Sequence, residues 1–138
     1  MRIKNRIRII FISLAMLLLM PTVALAALPP TAEIQWVNTK AVGCNIFVSG
    51  TSGAISATIT GYTGTIVRAT VEFYMIKNGV RTDLYSASTP SNHALPIAAF
   101  SCNFTPESGA TYYLYLNGVV SRNGIDEQIS RSDIETIP

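Results

Sequence analysis

Beyond Pro29-Pro30 the chain alternates apolar and polar residues with a period of two, the pattern of strands that bury one face and wet the other. Ile34 and Trp36 alternate with Glu33 and Gln35, and Val42, Cys44, Ile46 and Val48 share one face of a stretch over 41–49. Ile55, Ala57 and Ile59 alternate with Ser56, Thr58 and Thr60. Residues 65–77 place Ala69, Val71, Phe73 and Met75 together, and Val80 to Ser86 reads as the returning strand. Further strands are expected over 97–104, over 110–118 with Tyr112, Leu114 and Leu116 on one side, and weakly over 125–132.

Turn chemistry punctuates these stretches. Asn78-Gly79 lies between Ile76 and Val80, and Asn-Gly favours the positive φ angles of a two-residue hairpin. Asn117-Gly118 reads as a second hairpin turn or a strand end, and Asn123-Gly124 leads into the last strand. Residues 87–96 form a longer connection, in which Pro90 and Pro96 each lack a ladder donor. Seven or eight strands follow, with no mature segment showing helical periodicity. The expected fold is all-β: a single antiparallel β-sandwich over 33–132, because the 87–96 connection suits a crossover between sheets. A small closed β-barrel carries the same local pattern and is the alternative.

The first 26 residues read differently. Arg2, Lys4, Arg6 and Arg8 precede an apolar run from Ile9 to Met20 that only Ser13 interrupts. Ala24 and Ala26 then supply small residues at −3 and −1 of a cleavage site, completing a secretory signal peptide over 1–26. Twelve apolar residues fall short of the roughly 20 that span a bilayer. The expected product is therefore secreted, touching the membrane only transiently; an uncleaved signal that anchors the chain is the alternative. Residues 27–32 form a short linker, and 133–138 an acidic C-terminal tail.

Removing the leader changes the charge. The full chain has 138 residues, ten basic and eight acidic; without residues 1–26 it has 112, six basic and eight acidic. A slightly acidic domain of that size excludes a basic nucleic-acid-binding surface and a second domain of ordinary size. Outside the cell Cys44 and Cys102, the only cysteines, are free to pair. Their bridge would close a loop of 59 residues, worth up to about 4 kcal/mol in the chain-entropy account. Two buried free thiols are the other reading.

Catalytic chemistry is sparse. His93 is the only histidine. Ser91, His93 and Asp83 supply the residue types of a nucleophilic triad, but no G-x-S-x-G elbow accompanies them. The acidic residues are mostly isolated and read as solubility; Asp126-Glu127 near Asn123-Gly124 matches no EF-hand spacing. The sequence thus predicts no enzyme, no metal and no cofactor. Aromatic placement is more informative. If Tyr112 and Leu114 point inward, Tyr113 and Tyr115 point outward; Phe73 inward likewise places Tyr74 outward. Tyr74, Tyr113 and Tyr115 are the candidate ligand patch, since exposed tyrosines offer flat apolar area with hydroxyl handles.

The segments Cys44-Asn45-Ile46, Val48-Ser49-Gly50, Ala57-Thr58-Ile59-Thr60-Gly61, Tyr74-Met75-Ile76-Lys77 and Gly109-Ala110-Thr111-Tyr112-Tyr113 carry a likeness to known proteins. In them the chain resembles uncharacterised small secreted bacterial proteins of Gram-positive type, each with a single immunoglobulin-like or fibronectin-III-like sandwich. The resemblance implies that fold and supplies no catalytic residues. The expected function is a secreted, non-enzymatic binding or adhesion module for an unknown extracellular protein or glycan. A self-associating structural or matrix protein, or a small enzyme inhibitor, are the alternatives.

Overall fold

A computed structural model of the chain describes residues 36–138. The expected signal peptide with Ala24 and Ala26, the linker 27–32 and residues 33–35 lie outside the described residues. Seven strands follow in order: β1 (Thr39–Ser49), β2 (Ser52–Gly61), β3 (Ile66–Lys77), β4 (Val80–Ser88), β5 (Ile97–Phe104), β6 (Thr111–Arg122) and β7 (Ile125–Thr136). All pairings are antiparallel. They form a three-stranded sheet, β1-β2-β5, and a four-stranded sheet, β4-β3-β6-β7. The two sheets make a β-sandwich and close no barrel, as the 87–96 crossover leads one to expect.

The alternation in the sequence becomes the core. Ile55, Ala57 and Ile59 of β2 face Val67, Val71 and Phe73 of β3 and Leu114, Leu116 and Val120 of β6, all buried in one cluster. Three rings tie the sheets together: Phe104 of β5 lies 5.0 Å from Phe73 and 4.7 Å from Tyr112, between ring centroids. Gly53 makes room for this, because a Cβ there would run into the Phe104 ring. Tyr112 is buried, and its hydroxyl accepts a 2.9 Å hydrogen bond from the Glu107 N–H, five residues upstream.

The hairpins divide the Asn-Gly pairs into two kinds. Asn78-Gly79 has φ of 53° and 76°, and Asn123-Gly124 has 52° and 77°, so both adopt the left-handed pair of a type I′ turn. Asn117-Gly118 is neither turn nor strand end, because β6 runs straight through it. Gly118 serves a different need. A Cβ there would meet Ile59 Cδ1 and would lie 2.9 Å from the Arg68 carbonyl oxygen, so the sheets meet closely only without it.

Two further expectations are corrected. Cys44 and Cys102 are free thiols. Cys44 pairs with Ala57 on one side of β2, while Cys102 pairs with Ile55 on the other. With a whole strand between them and a two-residue offset, their Cα atoms stand roughly 11–12 Å apart, beyond the ~7 Å limit for a bridge. Burial, then the Asp133 charge, push the Cys44 thiol up to about 11, against a smaller opposing pull from Arg131.

The acidic C-terminus is also no tail, because β7 continues through Asp133 to Thr136, paired with β6. Its carboxylates serve the neighbouring sheet. Asp133 Oδ2 accepts the Ile46 N–H of β1 at 2.7 Å. Glu127 accepts the Val37 and Asn38 N–H groups at 2.9 and 3.2 Å and the Thr39 hydroxyl at 2.6 Å. Asp133 thus covers one N–H of the β1 edge and Glu127 holds the segment that leads into β1, roles that solubility alone does not capture.

Candidate functional site

The outer face of the four-stranded sheet carries the candidate site. Antiparallel register stacks its outward residues in rows across β3, β6 and β7: Arg68–Val119–Gln128, Thr70–Asn117–Ser130, Glu72–Tyr115–Ser132 and Tyr74–Tyr113–Ile134. β4 adds Ser88 beside Thr70 and Asp83 beside Tyr74. The rows run from a polar end to an aromatic end.

The aromatic end is the patch expected from the sequence. Tyr74 stacks on Tyr113 with centroids 5.1 Å apart and planes 15° off parallel, and on Tyr115 at 6.0 Å and 17°. The register between β3 and β4 shifts after Phe73, so that Tyr85 lies opposite Phe73, Asp83 opposite Tyr74, and Leu84 opposite no residue. That bulge re-aims the strand and brings Arg81 over the tyrosines. The Arg81 guanidinium carbon sits 3.7 Å from the Tyr74 ring centroid, while its Nε donates to Asp83 Oδ1 at 2.7 Å. Glu72 lies 3.9 Å from the same guanidinium. A hydrogen bond with Tyr115, followed by desolvation and the Tyr115 charge, holds the Tyr74 phenol above its ordinary value of 10. The Arg81 charge pulls the other way. One face of Tyr74 is thus covered, and the cluster presents a rigid, amphipathic surface of hydroxyls and ring edges. Ile134 extends it and is 54% exposed.

The polar end forms an open trough of about 490 Å³. Its floor is Thr70, Asn117, Gln128 and Ser130, with Arg68 at one end and Ser88, Pro90 and Ser91 as a side wall. Ser130 donates to the Asn117 side-chain oxygen at 2.9 Å, which fixes that amide. The wall is tied down: the Thr89 N–H donates to the Ala69 carbonyl at 2.9 Å, and the Ala69 N–H to the Thr89 hydroxyl at 3.1 Å. Sequence reasoning missed this trough, because its residues come from four strands and a loop and meet only through register. The outward alternation of Thr70 and Asn117 was the one available signal.

The other chemistry-bearing residues are otherwise engaged. His93 Nε2 donates to the Ile97 carbonyl at 2.8 Å, which pins the 87–96 connection. Asp83 is held by Arg81, and Asp126 accepts the Ser121 hydroxyl at 2.6 Å. Glu127 feels burial as its largest single influence, pulling its pKa up. The hydrogen bonds from the Thr39 hydroxyl and the N–H groups of Val37, Asn38 and Thr39 outweigh it and hold the carboxyl below its ordinary value. Among the described residues no three His, Cys, Asp or Glu side chains group to hold a metal ion. Compared with known proteins, the chain matches no protein-family model and no curated sequence.

Proposed function

We propose that the protein is a non-enzymatic binding module, exported through the signal peptide over 1–26 and working outside the cell through the outer face of its four-stranded sheet. The observation that carries this reading is the Tyr74, Tyr113 and Tyr115 cluster. Three rings from two strands converge on the solvent side of a sheet whose other side already supplies the core. These rings pack on one another and add nothing to the core on the other side of the sheet, and rigid tyrosines give contact area at low entropic cost.

The immunoglobulin-like expectation has two supports. The Tyr112 hydroxyl bonding back to Glu107 at the entrance to β6 is similar to the tyrosine corner of such sandwiches. Leu114, two residues on and buried, stands where a bridged domain has its second cysteine. The fourth strand joins the β3-β6-β7 sheet rather than the first one, which favours the fibronectin-III-like variant over an antibody constant-type arrangement.

The test is binding to cell-surface material by the exported chain and by its Tyr74→Ala/Tyr113→Ala/Tyr115→Ala variant. The reading expects binding that the triple variant loses while it still folds, its thermal midpoint lowered only by the lost cross-strand stacking of about 0.2–1 kcal/mol per pair; equal binding by both proteins refutes it. The intact mass of the secreted product checks the leader, which should end at Ala26.

Self-association is a second reading, favoured by one observation. β5 is an edge strand without a charged residue, preceded by Leu95 at 58% exposure. Light scattering that rises with concentration would support it.

A further inference from the structure

We infer that the trough beside the tyrosines binds a segment of an uncharged, linear polysaccharide, with the aromatic cluster as its second contact. This rests on the binding-face reading and names the ligand class for that face. Charge argues first. Between the Arg68 and Tyr74 rows two arginines, Arg68 and Arg81, are matched in number by two acids, Glu72 and Asp83; both acids lie on Arg81, and Arg68 is the one charged residue that lines the trough. A polyanion would find a single arginine in the trough and two carboxylates in the rows beside it, so the face offers no extended field of one sign.

Size argues next. From the Arg68 row to the Tyr74 row the face is about 20 Å long, and four strands make it about 14 Å wide, or roughly 300 Å². A standard protein interface needs about 800 Å² from each partner, so this stretch of the face alone is too small for one. It has the length for a short oligosaccharide stretch. The trough's functional groups then select among small neutral ligands. The Thr70, Ser88 and Ser130 hydroxyls and the Asn117 and Gln128 amides are paired donors and acceptors that match sugar hydroxyls. Val119 and Pro90 give apolar area for the C–H faces of the rings. The Ser130–Asn117 bond and the tied-down Thr89 fix part of this constellation before any ligand arrives, which lowers the entropy cost of binding.

The test is affinity electrophoresis of the full chain, expressed with its own leader, in gels containing xylan, mannan or mixed-linkage glucan. Polygalacturonate serves as the acidic arm. At least one neutral polymer should retard the protein. Asn117→Ala/Gln128→Ala should weaken that retardation about tenfold or more, from the loss of two or three hydrogen bonds. Because Asn117 also bonds Ser130, Thr70→Val is the companion variant. It removes one hydroxyl from an exposed strand position at nearly constant shape, and it should weaken binding while leaving the thermal midpoint in place. Retardation by polygalacturonate alone, by no polymer, or equally in wild type and trough variants overturns the inference. The two readings separate cleanly. Surface binding that needs the tyrosines but is not competed by neutral polymers removes the ligand class and leaves the face. Neutral-polymer binding that ignores both trough and tyrosine variants removes both.

Discussion

Replacing Gly118 with alanine should destabilise the domain, although the position is extended and alanine has the better backbone entropy. Removing a glycine's unfolded-state freedom stabilises by about 0.4–1 kcal/mol where the new side chain fits. Here it does not fit. The added methyl would meet Ile59 Cδ1, the far end of a flexible side chain, but also the Arg68 carbonyl oxygen at 2.9 Å and Ala69 Cβ at 3.2 Å. The carbonyl belongs to the partner strand, so relief requires β3 and β6 to shift. Overpacking of this kind costs about 1–3 kcal/mol; a backbone carbonyl as the obstacle puts the cost in the upper half of that range, which leaves a net loss of about 1–2 kcal/mol after the entropic gain. For a domain of this size that lowers the melting temperature by roughly 5–15 °C, measurable by circular dichroism. Gly43→Ala is the control, since a Cβ there meets only Asn45 Nδ2, at 3.8 Å. It should be neutral or slightly stabilising. Ile59→Val combined with Gly118→Ala should cost less than the two single losses added together. If Gly118→Ala matches Gly43→Ala, the close approach of the sheets beneath the trough is refuted.

Other expectations follow from the same geometry. Alkylation under denaturing conditions without reductant should add two labels, and native Cys44 should react slowly because its thiol is raised to about 11; labelling that appears only after reduction contradicts the separation across β2. Tyr112→Phe should cost about 0.5–1.5 kcal/mol in denaturant melts by freeing the Glu107 N–H, and an unchanged midpoint rules out a structural role for that bond. Glu127 has a folded-state pKa below its ordinary 4.5, so its contribution is complete above that value and is lost as pH falls through the folded pKa. The stability gap between wild type and Glu127→Gln should therefore narrow below about pH 4.5, and a gap that widens on acidification reverses the assigned sign.

Much of the scaffold is legible in the sequence because strand alternation and type I′ turns are local. Ile55, Ala57 and Ile59 announce their buried face within five residues, and Asn78-Gly79 announces its hairpin within two. What stays hidden depends on partners far along the chain. Asn117-Gly118 has the same chemistry as the true turns; only Ile59 and the Arg68 carbonyl reveal that its glycine answers to crowding. The Cys44–Cys102 spacing permits a bridge, and only the placement of β2 between β1 and β5 forbids it. The acids of β7 look like a solvated tail until β1 is set beside them. The tyrosine cluster was readable from parity alone, whereas the trough needed the register of four strands.

The central claim is that the outer face of β4-β3-β6-β7 makes the contact with ligand. Amide chemical-shift mapping during titration with a polysaccharide that retards the protein tests this most directly. Perturbations should concentrate at Arg68 to Tyr74, Tyr113 to Val119 and Gln128 to Ile134, with the β1-β2-β5 sheet silent. Shifts gathered instead on the outer face of β1, β2 and β5, or on the hairpin loops, would contradict it.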